Sequence, residues 1–185
     1  MKRLGLIVGK FVPLHFGHEW LVAQAECQCN ELLILSYTNP EFHGCEVPSR
    51  RIWLAQRFPI HKAHVIDNAW LESACARRGV QSRELPLNHL DDTTHQLFLA
   101  WLLRDVLCVA PDVIFCSEAY GPSCANLLTQ VLDHPVSAVV VDQERLHIPI
   151  SATVIRQDPH ASRHWLSPEV FESYVLATAP TSVRE

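Results

Sequence analysis

Glycine is scarce in this chain: six in 185 residues, at positions 5, 9, 17, 44, 79 and 121. Those positions cannot compose G-x-G-x-x-G, which excludes the dinucleotide fingerprint of dehydrogenases. Gly9-Lys10 is followed by Phe11, so there is no P-loop, whose lysine must be followed by Ser or Thr. G-x-S-x-G and H-E-x-x-H are also missing, which sets aside an α/β serine hydrolase and a zinc protease. Positive charge is short too. Lys and Arg total 15 against 20 Asp and Glu, a net −5. Counterion release from long nucleic acid therefore has little to work with, although a local basic pocket for a small phosphate ligand is compatible. No apolar run approaches the ~18 residues needed to span a bilayer. The start, Met1-Lys2-Arg3 and then Leu4–Val8, imitates a signal peptide, but Lys10 interrupts it and no small-residue cleavage site follows. The segment reads as a buried first strand of an intracellular, cytoplasmic protein.

Cysteine is present without a pattern. The seven residues, at 27, 29, 45, 75, 108, 116 and 124, are odd in number and irregular in spacing, which argues against a disulfide framework. Cys27-Gln28-Cys29 is the only close pair, and a zinc site would need a second pair that is not visible. The cysteines read as buried or half-buried free thiols, and no permanent metal site is expected.

The rest is ordinary for a globular chain, 48% hydrophobic and 19% charged, and reads as one domain over residues 1–185 with 178–185 a frayed tail. Strand and helix signals alternate. Short apolar runs predict strands over 4–9, 31–37, 64–66, 112–116 and 136–141. Helical spacing predicts helices over 18–29, 50–58, 90–109 and 125–132, with Ser151 and Ser167 as caps of two more. Residues 38–48 read as a loop, and 67–89 carry no clear pattern. Continuous apolar strands alternating with helices point to an α/β, doubly wound parallel sheet of about five strands with helices on both faces. In such a fold ligands bind beyond the carboxyl ends of the strands. The segments after Gly9, Tyr37, Cys116 and Val141 are therefore the ones to inspect.

Directly after the first strand stands Gly9-Lys10-Phe11-Val12-Pro13-Leu14-His15-Phe16-Gly17-His18. Gly17 lets a backbone come close to a ligand. A helix beginning near His18 would aim free N–H groups at an anion. His15 and His18 can donate to phosphate oxygens and, if protonated, neutralise them. Near the other end stands Ile150-Ser151-Ala152-Thr153-Val154-Ile155-Arg156. Here Ser151 caps a helix, Thr153 offers a hydroxyl and Arg156 a guanidinium fork one turn on.

Together these stretches resemble the signatures of the H-x-G-H nucleotidyltransferases, a Rossmann-like family. Within it, Gly9-Lys10-Phe11 is similar to the NadR-type nicotinamide-nucleotide adenylyltransferase domain. Ser117-Glu118-Ala119-Tyr120-Gly121, Val141-Asp142-Gln143-Glu144-Arg145 and the stretch from Pro48 to Leu54 resemble further stretches of that domain. The resemblance runs from Leu4 to about Val175. It implies transfer of AMP from ATP to nicotinamide mononucleotide, giving NAD and pyrophosphate, by direct attack with no enzyme nucleophile. Magnesium would arrive with ATP. It implies phosphate roles for Lys10, His15, His18 and Arg156, and ATP contacts from Gly9, Phe11, Gly17, Ser117, Glu118, Tyr120, Ser151 and Thr153. For the mononucleotide the candidates are Asn39, Arg50, Asp142 and Arg145. Trp101 could stack on the nicotinamide ring, although its place on a helix with Leu97 and Leu107 favours the core. Resemblance fades where a NadR-type riboside kinase would begin, so no kinase is expected in these residues. Another phosphorylated acceptor (nicotinic acid mononucleotide, phosphopantetheine), a non-catalytic nucleotide sensor, and a homo-oligomer all remain compatible with the sequence.

Overall fold

The computed structural model describes residues 3–179. Five strands, β1 (Leu4–Val8), β2 (Glu31–Tyr37), β3 (Lys62–Ile66), β4 (Val113–Cys116) and β5 (Ser137–Val140), form one sheet in the order β3-β2-β1-β4-β5. Every pairing is parallel, with Leu6 opposite both Leu33 and Ile114. Both faces are covered, which is why the strands read as unbroken apolar runs rather than alternating ones. On one face Ile7, Ile34 and Phe115 share a core with α1 (Phe16–Glu26), α2 (Val47–Arg57) and α7 (Pro168–Thr178), into which α6 (Ala152–Gln157) inserts Ile155. On the other, Leu6, Leu33 and Ile114 pack with α3 (Asn68–Arg78), α4 (Asp92–Trp101) and α5 (Gly121–Leu132). The architecture is the expected Rossmann-like doubly wound sheet.

Several boundaries differ from the sequence expectations, each for a local reason. α1 starts at Phe16, with His15 as its N-cap, and not near His18. α2 starts at Val47 and α5 at Gly121, so Pro48 and Pro122 lie inside first turns. A proline costs nothing there, because its missing N–H would have had no helical partner. The unassigned stretch holds α3, capped by the Asp67 carboxylate on Trp70 N–H and closed by Gly79 at φ 67°. Past α4 the chain continues as a π-helical turn, Leu102–Leu107, and ends on Cys108 at φ 52°. Within α4 Leu97 is 51% exposed while Phe98, Leu99 and Trp101 are buried, and the π-helical turn continues the buried face through Leu102 and Val106. Cys27 and Cys108 are exposed rather than buried, and all the cysteines are free thiols. Of the expected tail, Thr178 closes α7, whereas residues 180–185 lie outside the described residues. Among the described residues no helix is long and apolar enough to cross a membrane.

The strand order places the site. From β1 the chain turns through α1 toward β2, and from β4 it turns through α5 toward β5. The two connections leave in opposite directions and open a crevice above the carboxyl ends of β1 and β4.

Candidate active site

That crevice is a cleft of about 440 Å³. The β1–α1 turn supplies Gly9, Lys10, Phe11, His15, Gly17 and His18. Ser117, Glu118 and Tyr120 come from beyond β4, Asp142 and Arg145 from beyond β5, and Ser151, Thr153 and Arg156 from the start of α6.

The two histidines form the N-terminal cap of α1. His15 Nδ1 accepts from Gly17 N–H at 3.0 Å, and His18 Nδ1 accepts from His15 N–H at 3.2 Å. A ring nitrogen that accepts carries no proton, so each imidazole bears its hydrogen on Nε2. The rings lie 3.9 Å apart between centroids, and Phe11 packs 4.6 Å from His18. Burial, with Arg145 adding repulsion, lowers His15 to about 3. Burial, then His15 and Arg145, hold His18 well below its ordinary value. Both are neutral donors at neutral pH. Desolvation next to a cation favours the neutral form, so of the two roles the sequence leaves open to these rings, donation needs no protonation and charge neutralisation does.

The glycines serve the histidine turn itself. A Cβ on Gly17 would stand 2.8 Å from His15 Cε1, and one on Gly9 3.1 Å from the Phe11 ring. Gly17 therefore makes room for the capping imidazole, and it also lines the cleft. Phe11 holds a left-handed φ of 53° while buried beneath His18.

Cations surround this turn. Lys10 Nζ lies 3.3 Å from the Asn88 carbonyl, and burial lowers its pKa against the opposing pull of Glu118. Arg156 donates to the Val12 carbonyl at 2.6 Å and to Thr153 Oγ1 at 3.1 Å, with its guanidinium 4.7 Å from the Phe42 ring centroid. Ser151 caps α6 on Val154 N–H. Arg145 donates to the Ile150 carbonyl. Asp142 sits at φ 50° and gathers the N–H groups of Leu146, His147 and Ile148. Desolvation opposes its ionisation, but those bonds outweigh it and bring the carboxyl to about 2. Asp142 thus shapes the loop that carries Arg145.

Three expected mononucleotide contacts are not part of the cleft. Arg50 is fully buried, bonded to the Cys45 carbonyl, Ser36 Oγ and the Glu41 carboxylate. A guanidinium with all its edges committed is a structural tie. Trp101 is 4% exposed, packed against Phe98 and under Arg83, the core placement that its helical spacing favoured over stacking on a ligand. Asn39 holds the segment before α4 through the Leu85 carbonyl and Asn88. Sequence reasoning missed another wall: Asn88, Asp92, His95 and Gln96 line the cleft, with His95 stacked 6.0 Å from Tyr37. The signal was present, since a helix leading back into a parallel sheet starts at the carboxyl edge. Among the described residues no group of three or more His, Cys, Asp or Glu side chains could hold a metal ion.

No protein-family model matches the chain. It is 28% identical to the trifunctional NAD biosynthesis/regulator protein NadR of Salmonella typhimurium strain LT2, over 96% of this chain and 42% of that one. It is 26% identical to the protein of the same name from Escherichia coli strain K12, with the same coverage. The chain is homologous to NadR over this span, which is less than half the length of those curated relatives. A NadR protein solved in complex with NR aligns over 90% of this chain and 43% of that chain, with a TM-score of 0.56 at 17% identity. Another, in complex with NAD and AMP-PNP, gives 0.55 at 20% identity over 89% of this chain and 44% of that chain. These similarities show the shared fold.

Proposed function

We propose that this chain transfers AMP from ATP to nicotinamide mononucleotide, releasing pyrophosphate and forming NAD. The observation that carries the reading is the convergence of His15, His18, Lys10, Arg145 and Arg156 on one cleft above β1 and β4. Homology to proteins named for NAD biosynthesis, and a solved NadR holding NAD with AMP-PNP, support nucleotide chemistry of this kind.

In this reading a phosphate oxygen of the mononucleotide attacks the α-phosphorus of ATP. The bond from that phosphorus to the bridging oxygen breaks, and pyrophosphate leaves with the electron pair. No side chain becomes covalently attached. The chain's task is to hold the reactants in line and to meet charge as it develops. The Nε2–H groups of His15 and His18 donate to phosphate oxygens without giving up a proton. Lys10, Arg145 and Arg156 supply fixed charge, with Ser151 and Thr153 beside Arg156 at the leaving end. Gly9, Phe11 and Gly17 shape the histidine turn. Ser117, Glu118 and Tyr120 form the wall toward the adenosine, and the His95 and Gln96 wall is left for the acceptor. Magnesium bound to ATP would offset triphosphate charge; among the described residues no side-chain cluster would hold it, so it would be carried by the nucleotide. The test is pyrophosphate release by purified protein with ATP and a panel of acceptors. Turnover confined to the nicotinamide mononucleotide supports the reading, and turnover only with phosphopantetheine or no turnover at all overturns it.

A further inference from the structure

The connection from α3 to α4 has no helix or strand from residue 80 to 91, yet one residue in it is tied down from several sides. Asn88 N–H donates to the Asn39 carbonyl at 2.7 Å. Its side-chain oxygen accepts from Asn39 N–H at 3.2 Å, and its side-chain nitrogen donates to the Pro40 carbonyl at 2.7 Å. Asn39 in turn donates its side-chain amide to the buried Leu85 carbonyl at 2.8 Å. The Asn88 carbonyl accepts from Lys10 Nζ.

We propose that Asn88, clasped to Asn39 and Pro40, is a positioning residue that fixes Lys10 over the cleft. The proposal rests on the nucleotidyl-transfer reading of the site. A lysine ammonium rides on a flexible four-carbon stem with roughly 2 kcal/mol of rotamer entropy. A fixed carbonyl opposite it restricts that freedom before ATP arrives, and hands the ammonium to phosphate oxygens when they do. The carbonyl is fixed because the clasp is. Only a side-chain amide both donates and accepts in one plane; Leu and Ala do neither. The clasp joins the segment after β2 to the segment before α4 and so sets the width of the cleft on the Lys10 side. The charged and titratable groups facing Lys10 come from other elements: Glu118 after β4, Arg156 on α6 and His95 on α4. Freeing residues 80–91 would release the carbonyl held opposite the ammonium while leaving Glu118 and Arg156 in place; His95, bonded to the Leu87 backbone, leans on the same segment.

Two measurements test this. The first does not use activity. Trace acetylation of Lys10 across a pH series, read by mass spectrometry, titrates its amine, with the exposed Lys62 as internal control. In Asn88→Ala and in the near-isosteric, uncharged Asn88→Leu, the Lys10 curve should move to lower pH, because a carbonyl held opposite the ammonium favours its charged form, while Lys62 labelling stays as in the parent. An unmoved Lys10 curve in whichever variant folds overturns the proposal. The second is kinetic. Asn88→Leu should lower kcat/KM for ATP about tenfold, and Asn88→Leu with Lys10→Ala should be no worse than Lys10→Ala alone, because residues that act through one another are non-additive. Losses that add would make Asn88 a purely structural residue and overturn the proposal. If the parent protein turns over no acceptor, the transfer reading fails on its own, and the acetylation curve still decides the clasp.

Discussion

His15 does two things with one ring. Its Nδ1 caps α1, which leaves its hydrogen on Nε2, and the residue lines the cleft. The two roles separate by substitution. His15→Asn keeps an acceptor at a position where Asn is a good cap, so the melting temperature should hold. The imidazole Nε2–H proposed to meet phosphate is gone, and the shorter amide's Nδ2–H does not reach its place, so the rate should fall about 10²–10³-fold. His15→Ala should lose that rate and about 1 kcal/mol of stability besides. Steady-state kinetics and thermal melts on both variants check this, and an active His15→Asn would remove the imidazole from the chemistry. The same burial gives a pH dependence. Both imidazoles titrate in the fold below their unfolded value, so on acidification the unfolded chain binds protons first. Their contribution is intact above about pH 6.5 and is lost as the pH falls toward about 3 for His15. The slope is at most about 1.4 kcal/mol per pH unit for each imidazole. Urea midpoints should drop between pH 7 and 4.5, less steeply in His15→Asn; equal slopes would mean that His15 ionises freely in the native state.

At the level of elements, α5 is held against the sheet by a missing side chain. A Cβ on Gly121 would stand 2.4 Å from Cys116 Sγ and 3.4 Å from Val140 Cγ2. Gly121 therefore lets the first turn of α5 approach the ends of β4 and β5, and with it brings the segment carrying Ser117, Glu118 and Tyr120 over the cleft. Gly121→Ala should destabilise by about 1–3 kcal/mol, the usual cost of overpacking. Adding Cys116→Ala removes the clashing sulfur and should recover part of that loss. A denaturant series on the single and double variants measures it, and no recovery would place the strain elsewhere. On the other face, Arg50 ties α2 to Ser36 and the 41–45 loop, and Ser36 Oγ donates to the Lys10 carbonyl at 3.0 Å. That chain connects α2 to the turn between β1 and α1 while Arg50 stays buried.

Across the whole molecule, the cleft straddles the two halves of the sheet, β1–β2–β3 and β4–β5, which pair only along Gly5–Ile7 and Val113–Phe115. A dinucleotide lying across that junction would touch both halves and bind only the folded chain. At a hundredfold excess over its Kd, NAD should add about 2.7 kcal/mol. For a chain of this size that raises the melting temperature by about 5–10 °C. A thermal-shift titration with NAD, ATP and the mononucleotide reads this directly, and no shift at saturating nucleotide would empty the cleft of its proposed ligands.

What the chain determined by itself was short-range. Apolar runs of strand length, separated by helical spacing, imposed a parallel sheet, because a run with no polar alternation must be covered on both faces. Ser151 and Ser167 announced helix starts, since a cap needs only its own next three residues. The H-x-G-H turn and the 150–156 stretch were legible as helix starts for the same reason, and both line the cleft. Asp67 and Gly79 carried the same kind of signal for α3 and went unread. What remained hidden depended on partners far away in sequence. Arg50 and Trp101 look like ligand contacts until Glu41, Cys45, Phe98 and Arg83 close around them. The downward pull of burial and Arg145 on His15 and His18 was not legible, because a pKa responds to solvent and neighbours rather than to spacing. Asn88 and His95 reach the cleft only because the sheet brings the start of α4 to the carboxyl ends of β1 and β4. Local pattern selected the elements, and packing decided which side chains were left facing the cleft.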